Sequence, residues 1–479
     1  MSNMTRRTFL KRSALAAGVM GFAARSWAQV PGANEDIRVA VVGFNGRGRS
    51  HISSWLKTKG VRLTALCDVD SKVIEAELGR LEKDGPKVET YTDIRKLLAS
   101  KNVDAISIAT PNHWHALATV WGLQAGKHVY VEKPVSHNVW EGEKMVQAAR
   151  RYEKIVQAGT QSRSSSGLKE AVAWVHQGNL GRILVARALC YKPRPSIGKA
   201  DGPQAVPASV DYDLWCGPAP LTPPRRRQFH YDWHWFWDYG AGEVGNQAIH
   251  ETDVARWFLG EQVLSPRVLA LGSRFGYVDD GETPNTLVVF HDYVKAPLLI
   301  EVRGLPEKAG SREMDNYKGA KVGVVVECEG GHVLVSDYMS ATAFDKAGKE
   351  IRRFTGASSH FENFIEAVRS RNESVLNAPI LQGHLSSALC HTANISYRLG
   401  SWQSPDAIRE QIKGDRDALP TFQRLSEHLA ANNVDLEKTP ATLGAVLKMN
   451  PANSKFIENK QANYLLTRTP REPYGIRVG

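Results

Sequence analysis

The stretch IRVAVVGFNGRGRS, Ile37–Ser50, sets an unbroken apolar run of strand length against a turn dense in glycine, followed by a helix continuing through SHISSWLKTK. A strand without polar alternation suits a parallel sheet covered on both faces. Gly43, Gly46 and Gly48 stand between strand and helix. Gly43 permits the tight turn and Gly48 the close approach of helix to strand. The free amides at the helix start, around Asn45, Gly46 and Arg47, face an anion, here the pyrophosphate of a dinucleotide. Asn45 takes the usual middle-glycine position with glycine displaced to Gly46, so the turn is a variant, and a purely structural use of the glycines competes with this reading.

Outward from this unit, strands and helices alternate. VRLTALCD, VDAISIAT, KHVYVEKP and KIVQAGT are apolar runs of strand length, separated by helical patterns such as HALATVWGLQAG and NVWEGEKMVQAARRYE. That order predicts a doubly wound parallel α/β sheet over 37–160. Asp68 ends the second strand, 25 residues after Gly43. A carboxylate there accepts from both ribose hydroxyls and repels a 2′-phosphate, so the expected cofactor is NAD rather than NADP. Arg47 and Arg49 stand near enough in sequence to neutralise a phosphate, and Asp68 can also be read as a turn acid.

After about Ser162 the pattern changes. RILVARALCY, RVLALGSRFG, NTLVVFHDY, APLLIEVRG, KVGVVVECEG and GHVLVSDY read as strands of a mostly antiparallel open sheet, with helices SGLKEAVAWVHQG, HFENFIEAVRS and GHLSSALCHTANISYRLG beside it. This α+β region is expected over 161–400, with 401–479 as a C-terminal extension, either ordered decoration or a dimer arm. Pro193–His234 is too long and too rich in Pro, Gly and Arg for a plain connection and is expected to be a functional or interface loop.

The totals exclude several classes. Of the formal net charge of +11, Arg6, Arg7, Lys11, Arg12 and Arg25 contribute five without any acid before residue 29; the remaining +6 gives no reason to expect nucleic acid. MTRRTFLKRSALAAGVMGFAARSWAQV resembles a twin-arginine export signal over residues 1–28, which implies the twin-arginine translocation machinery as a partner and a periplasmic or otherwise exported protein, folded before export. Its apolar run is too short to span a bilayer, and no later segment approaches about 20 apolar residues, so no stable membrane insertion is expected. Cys67, Cys190, Cys216, Cys328 and Cys390 form no Cys-x-x-Cys pair and are expected to be buried free thiols.

Taken in order, the glycine turn, CDVD, TPNHWHA, EKP and GNQAIHETD resemble the glucose-fructose oxidoreductase, inositol dehydrogenase and rhizopine-catabolism family, Gfo/Idh/MocA, from about Ile37 to Gly400. The resemblance implies a dinucleotide domain followed by a domain whose open sheet forms the sugar-facing wall and often the oligomer interface, so a homo-oligomer, dimer or tetramer, is expected. It matches Thr110 and Pro111 to the loop at the nicotinamide half, with Asn112 and His115 added at the same rim as cofactor-binding candidates, while Glu132 is open to pairing with Lys133 or with a ribose. It gives Lys133 a hold on substrate and cofactor and makes His250 the acid/base residue. Many relatives carry aspartate where this chain has Asn246, which leaves Asp253 as a possible replacement.

The residues themselves agree for Lys133: an ammonium at the carboxyl end of a parallel strand points into the ligand crevice and can stabilise a developing alkoxide. Imidazole likewise suits general base chemistry near neutrality, although a merely hydrogen-bonded His250 is the plainer alternative. Upstream, FHYDWHWFWDYG offers His230, Tyr231, Trp233, Trp235, Trp237 and Asp238 as a carbohydrate-binding set, with core packing as the rival for the tryptophans. His230, Asp232, His234, Asp238, His250 and Glu251 include metal-ligand types, but without a tight spacing no metal is predicted.

These readings lead to an exported NAD-dependent oxidoreductase acting on a sugar, glycoside or cyclic polyol with a tightly bound, internally recycled cofactor. An NAD-dependent, redox-neutral glycosidase and a non-catalytic periplasmic sugar-binding protein are the alternatives.

Overall fold

The structure, a computed structural model, describes residues 36–81 and 85–478, and the twin-arginine segment lies outside the described residues. The first sheet contains β1 (Ile37–Val42), β2 (Val61–Cys67), β3 (Glu89–Tyr91), β4 (Ala105–Ile108), β5 (His128–Val131) and β6 (Val156–Ala158). Their order is β3-β2-β1-β4-β5-β6 and every pairing is parallel. Chain direction across the sheet reverses between β1 and β4, so the connections leaving these two strands diverge and open a crevice at their carboxyl ends. β3 is short and largely polar, a pattern the sequence does not reveal.

The helices start where local chemistry permits. Asp70 accepts from the Lys72 amide at 3.0 Å at the head of Ser71–Leu81, and Asn138 caps Val139–Arg151 through the Glu141 amide at 2.9 Å. Gly126, at φ 76°, ends the turn after Asn112–Gln124.

The second sheet has twelve strands, the first being β7 (Ile183–Tyr191), followed by β8 (Arg267–Ser273), β9 (Thr286–His291), β10 (Leu298–Arg303), β11 (Val322–Cys328) and β12 (Gly331–Val335). Only β7 with β10 pairs in parallel; the other neighbours are antiparallel. One face packs on the helices Ser166–His176, Ala248–Leu259 and Ile380–Arg398 through a large apolar cluster that includes Leu168, Phe258, Ile300 and Leu389. The stretch GEVGNQAIHETDVARWFLG forms two helices, Gly242–Asn246 and Ala248–Leu259, divided at Gln247.

The opposite face is covered by the C-terminal extension. Helices Pro405–Ile412 and Ala418–Ala431 lay Ile408, Phe422 and Leu425 on Leu269, Val288 and Leu299. Arg187 is buried under this layer and donates to Glu301 at 3.1 Å, Glu327 at 3.2 Å and the Thr421 hydroxyl at 2.9 Å. The chain's own tail therefore covers the part of the open sheet formed by β7 to β10. Strands at Ala441–Leu443 and Leu447–Asn450 then pair with β8.

Farther on, the tail crosses to the first domain. Arg468 donates to Glu141 and to the His113 carbonyl, both at 2.8 Å, and the Tyr474 ring joins the core beside Trp114. All five cysteines are buried and unpaired. Among the described residues no helix is long and apolar enough to cross a membrane, and no group of three His, Cys, Asp or Glu side chains is placed to hold a metal ion.

Burial makes the fold acid-sensitive. It pushes His113 and His291 down to about 3, and His384 and His391 down to about 4. These imidazoles stay neutral in the native chain and charge in the unfolded chain below the ordinary 6.5, so the unfolded state binds more protons there. Stability present above 6.5 is lost as pH falls, each group contributing up to about 1.4 kcal/mol per pH unit. Thermal midpoints measured between pH 7 and 5 should drop steadily, and His291→Leu should flatten that slope by about one proton.

Candidate functional site

One large cavity, about 650 Å³, lies at the carboxyl ends of β1, β4 and β5 and runs from the glycine turn to the head of Ala248–Leu259. At one end Gly43 has φ 77°, and a Cβ there would stand 2.8 Å from the Thr110 backbone, so both conformation and space demand glycine. A Cβ on Gly48 would meet the Gly43 carbonyl at 2.1 Å, the close helix-to-strand approach expected of it. Gly46 heads the helix Arg47–Trp55 without a side-chain cap, and a Cβ on it would meet nothing within 4 Å. The first-turn amides thus open onto the cavity as anion donors. Thr110 lines the same space, and its buried hydroxyl makes no hydrogen bond.

Asp68 accepts the Phe44 and Asp70 amides at 2.9 and 3.0 Å, one on each oxygen, and keeps lone pairs for further donors. Burial raises its carboxyl above the usual value. Neither arginine considered as a phosphate ligand turns to it: Arg47 pairs with Glu132 at 3.0 Å and Arg49 with Glu77 at 4.0 Å. This arrangement suits a free ribose diol and offers no cation to a 2′-phosphate.

Glu132 joins the two ends of the cavity. Its Oε1 receives Arg47 Nε at 3.0 Å, His51 Nε2 at 3.0 Å and Gln161 Nε2 at 3.1 Å. Burial alone would raise this carboxyl, but the His51 hydrogen bond and the Arg47 charge hold it well below the usual range. Next along the chain, Lys133 donates from Nζ to the Asn246 carbonyl at 2.7 Å, and burial lowers its ammonium despite the Glu132 charge. The Asn246 side chain is itself anchored to Glu243 at 3.2 Å, and Glu243 is paired with Arg194 at 2.7 Å. His250 faces the same space, and burial together with the Lys133 charge pushes it down to about 3. A neutral imidazole and a buried ammonium therefore share one cavity, as proton removal from a hydroxyl requires.

The long loop closes the other wall. Ser71 donates its amide to the Ser209 carbonyl and Asp211 to that of Val69, both at 2.9 Å, fastening the loop to the end of β2. Leu214, Trp215, Tyr231, Trp233 and His234 line the cavity from this strap. Arg226 is buried 4.4 Å above the Trp215 ring, and Arg471 of the tail donates to the Gly217 carbonyl at 3.0 Å. The loop is held by both domains and by the extension.

Several sequence expectations are corrected by these positions. Asp253 does not reach the cavity: Arg163 at 2.8 Å and the Ser386 hydroxyl at 2.7 Å take its carboxylate into a buried ion cluster one helical turn beyond His250. Trp235, Trp237 and Asp238 are also outside the cavity lining. Trp235 lies under Arg194 and Trp237 under Arg398, because the 3-10 turn Asp232–Trp235 sends Trp233 and His234 inward and turns the following aromatics to the second domain. His230 contacts Asp70 at 3.0 Å and so stands at the ribose end, away from Lys133.

His115 lines the cavity, but its ring nitrogens lie 2.6 and 2.8 Å from the Pro134 and Thr110 carbonyls, tying two loops together. Pro111 and Asn112 line the cavity beside it. His51, Gln161, Trp215 and Tyr338 escaped the sequence reading. For His51 the signal was present, since it shares an inward face with Ile52 and Trp55 one turn after Arg47. Gly43→Ala is expected to weaken dinucleotide binding about tenfold or more while the chain still folds, measurable by isothermal titration and circular dichroism.

Residues 37–160 match the oxidoreductase family NAD-binding Rossmann fold, and residues 189–279 match the C-terminal alpha/beta domain of the same family. Among curated proteins the chain is similar to a glycosyl hydrolase family 109 protein of Shewanella baltica, 31% identical over 177 residues that cover 32% of this chain and 39% of that protein. A second such protein, from a Shewanella species, is 34% identical over 125 residues, 25% of this chain and 27% of its own length. The matched segment thus spans well under half of these relatives.

Among solved structures, the Bordetella pertussis WlbA dehydrogenase, in complex with NADH and UDP-GlcNAcA, superposes with a TM-score of 0.55 at 21% identity, covering 75% of this chain and 97% of that one. An oxidoreductase domain protein from Kribbella flavida gives 0.57 at 17% identity, over 75% and 96% of the two chains. These likenesses speak for the fold. With a Rossmann domain at the glycine turn and the second domain after it, the matched segments of both domains are those of the Gfo/Idh/MocA oxidoreductase family.

Proposed function

We propose that the protein is an exported NAD-dependent oxidoreductase acting on a sugar, glycoside or cyclic polyol, with a dinucleotide retained across turnovers. The observation that carries this reading is the single cavity in which the glycine turn and Asp68 at one end meet Lys133 and His250 at the other. When bound, a nicotinamide dinucleotide supplies the acceptor for the hydride of a carbinol C–H. Gly43, Gly46 and the helix-start amides would hold its pyrophosphate and Asp68 its ribose diol. Retention is supported by the strap over 207–235, fastened to β2 at one side and to the tail at the other. The basic N-terminal sequence supports export.

At the reacting end, Lys133 stabilises a developing alkoxide and His250 accepts the hydroxyl proton at its ring nitrogen. Tyr338, with its ring 5.2 Å from that of His250, and Trp233 present apolar faces suited to sugar C–H groups. Asn246 holds Lys133 through its backbone carbonyl and has no carboxylate with which to share a proton.

A second reading, redox-neutral glycoside cleavage by oxidation, elimination, hydration and reduction, is favoured by the likeness to glycosyl hydrolase family 109 proteins. It uses the same two residues for the same first step. Mass spectrometry of denatured native protein should release NAD(H), and a panel of free sugars and glycosides should then reveal turnover. Net change in the nicotinamide absorbance marks oxidoreduction. Product without such change, carrying solvent hydrogen next to the oxidised carbon, marks the glycosidase. In either case His250→Gln should lower turnover about 10²- to 10⁴-fold with the dinucleotide still bound. Native protein lacking both dinucleotide and turnover would end this reading.

A further inference from the structure

Behind His250 lies a second, smaller cavity of about 170 Å³, lined on one side by His250 and Tyr338, which also line the large one. Glu251, 4% exposed, lines the small cavity. Its Oε1 accepts from Gln247 Nε2 at 3.1 Å, while its Oε2 is buried and makes no hydrogen bond. Gln247 Nε2 also donates to the Tyr338 hydroxyl at 3.0 Å, and Lys192 Nζ donates to Gln247 Oε1 at 2.9 Å, so this amide cannot flip and its two protons are committed. The remaining oxygen of Glu251 is left without a donor, and the residue lines a space large enough for several waters. A buried carboxyl with one oxygen unsatisfied is stable as the acid and costly as the anion.

We propose that Glu251 is the proton-holding partner of His250: as the imidazole takes up the proton of a bound hydroxyl, the Glu251 carboxylic acid gives its own proton to water in the smaller cavity, and both transfers reverse when the alcohol is re-formed. Only O–H and N–H bonds change in this exchange. The pair passes from neutral imidazole and neutral acid to imidazolium and carboxylate, so its total charge stays at zero while one proton leaves for solvent. The inference rests on the oxidoreductase reading above for its direction, and it adds an exit for the proton that the large cavity, filled by substrate and dinucleotide, would lack.

The surroundings agree with an acid that waits for a positive neighbour. Burial raises Glu251 to about 8, with the Glu243 charge in the same sense and Lys133 opposing it. Cys190 from β7 and Cys390 from Ile380–Arg398 are buried and held neutral, so neither supplies a counter-charge. Asp337 and Tyr338 face the small cavity from the segment after β12; Asp337 is held below its usual value by its own turn and Tyr338 is raised by burial. Asp253, the other carboxylate on the helix, is consumed by Arg163. Imidazolium formation at His250 is therefore the one change among these groups that would favour the Glu251 anion.

The test uses the full chain as purified and reads the carboxyl itself. Infrared spectra at pH 7 should contain a protonated-carboxyl band in the parent and in His250→Gln, absent in Glu251→Gln, and lost in His250→Lys, whose ammonium stands in for the imidazolium. A band missing from the parent, or persisting unchanged in a folded His250→Lys, overturns the proposal. Should His250→Lys not fold, thermal midpoints decide. Glu251→Gln should gain stability over the parent progressively from pH 4.5 to about 8 and by a constant amount above, because only the native parent keeps a proton there. A pH-independent difference overturns the proposal. These readouts need neither dinucleotide nor turnover, so absent dinucleotide would sink the oxidoreductase reading without touching them.

Discussion

The site depends on one buried carboxylate. Glu132 follows β5 and draws Arg47 and His51 from the first helix and Gln161 from the segment after β6 onto a single oxygen. Three elements that the sheet order brings to one edge are thereby locked at fixed separation. A buried anion without these donors would cost several kcal/mol, so the network must form for the strand ends to stay where they are. Its consequences run in two directions. Arg47, having been spent on Glu132, is removed from the adenosine end, where a free guanidinium would invite a 2′-phosphate. Lys133, next in the chain, inherits a negative neighbour that opposes the lowering of its ammonium by burial.

The second constraint is the route of the C-terminal extension. A sheet of twelve strands with one bare apolar face would need a partner molecule. Here Phe422, Leu425 and their neighbours cover that face over β7 to β10, and the buried Arg187, Glu301 and Thr421 cluster fixes the register of helix on sheet. The same extension then reaches the first domain and the strap through Arg468 and Arg471. The two domains and the loop closing the cavity are therefore held by one continuous segment, which ties cavity closure to the packing of the whole molecule.

Much of this was legible residue by residue. The apolar runs, the glycine turn and the acid at the end of the second strand specify a dinucleotide crevice because each depends on local rules: pleat burial, positive φ and helix-start amides. Lys133 and His250 were legible because strand ends and helix heads point predictably. The aromatic run was half legible. Trp233 and Tyr231 reach the cavity, but Trp235 and Trp237 are claimed by Arg194 and Arg398, cations distant in sequence. Asp253 failed for a similar reason, since Arg163 stands 90 residues away and outbids any catalytic use.

By itself the sequence determined the parallel sheet, its ligand-binding edge and the chemical types gathered there, since these follow from periodicity and from the conformations that glycine and proline allow. Only the tertiary structure decided which polar side chains remain free to act. That choice turns on who pairs with whom across long separations: Arg47 with Glu132, Arg163 with Asp253, Gln247 with both Glu251 and Tyr338. Pairing in a low-dielectric interior is set by distance in space, and no local pattern encodes it.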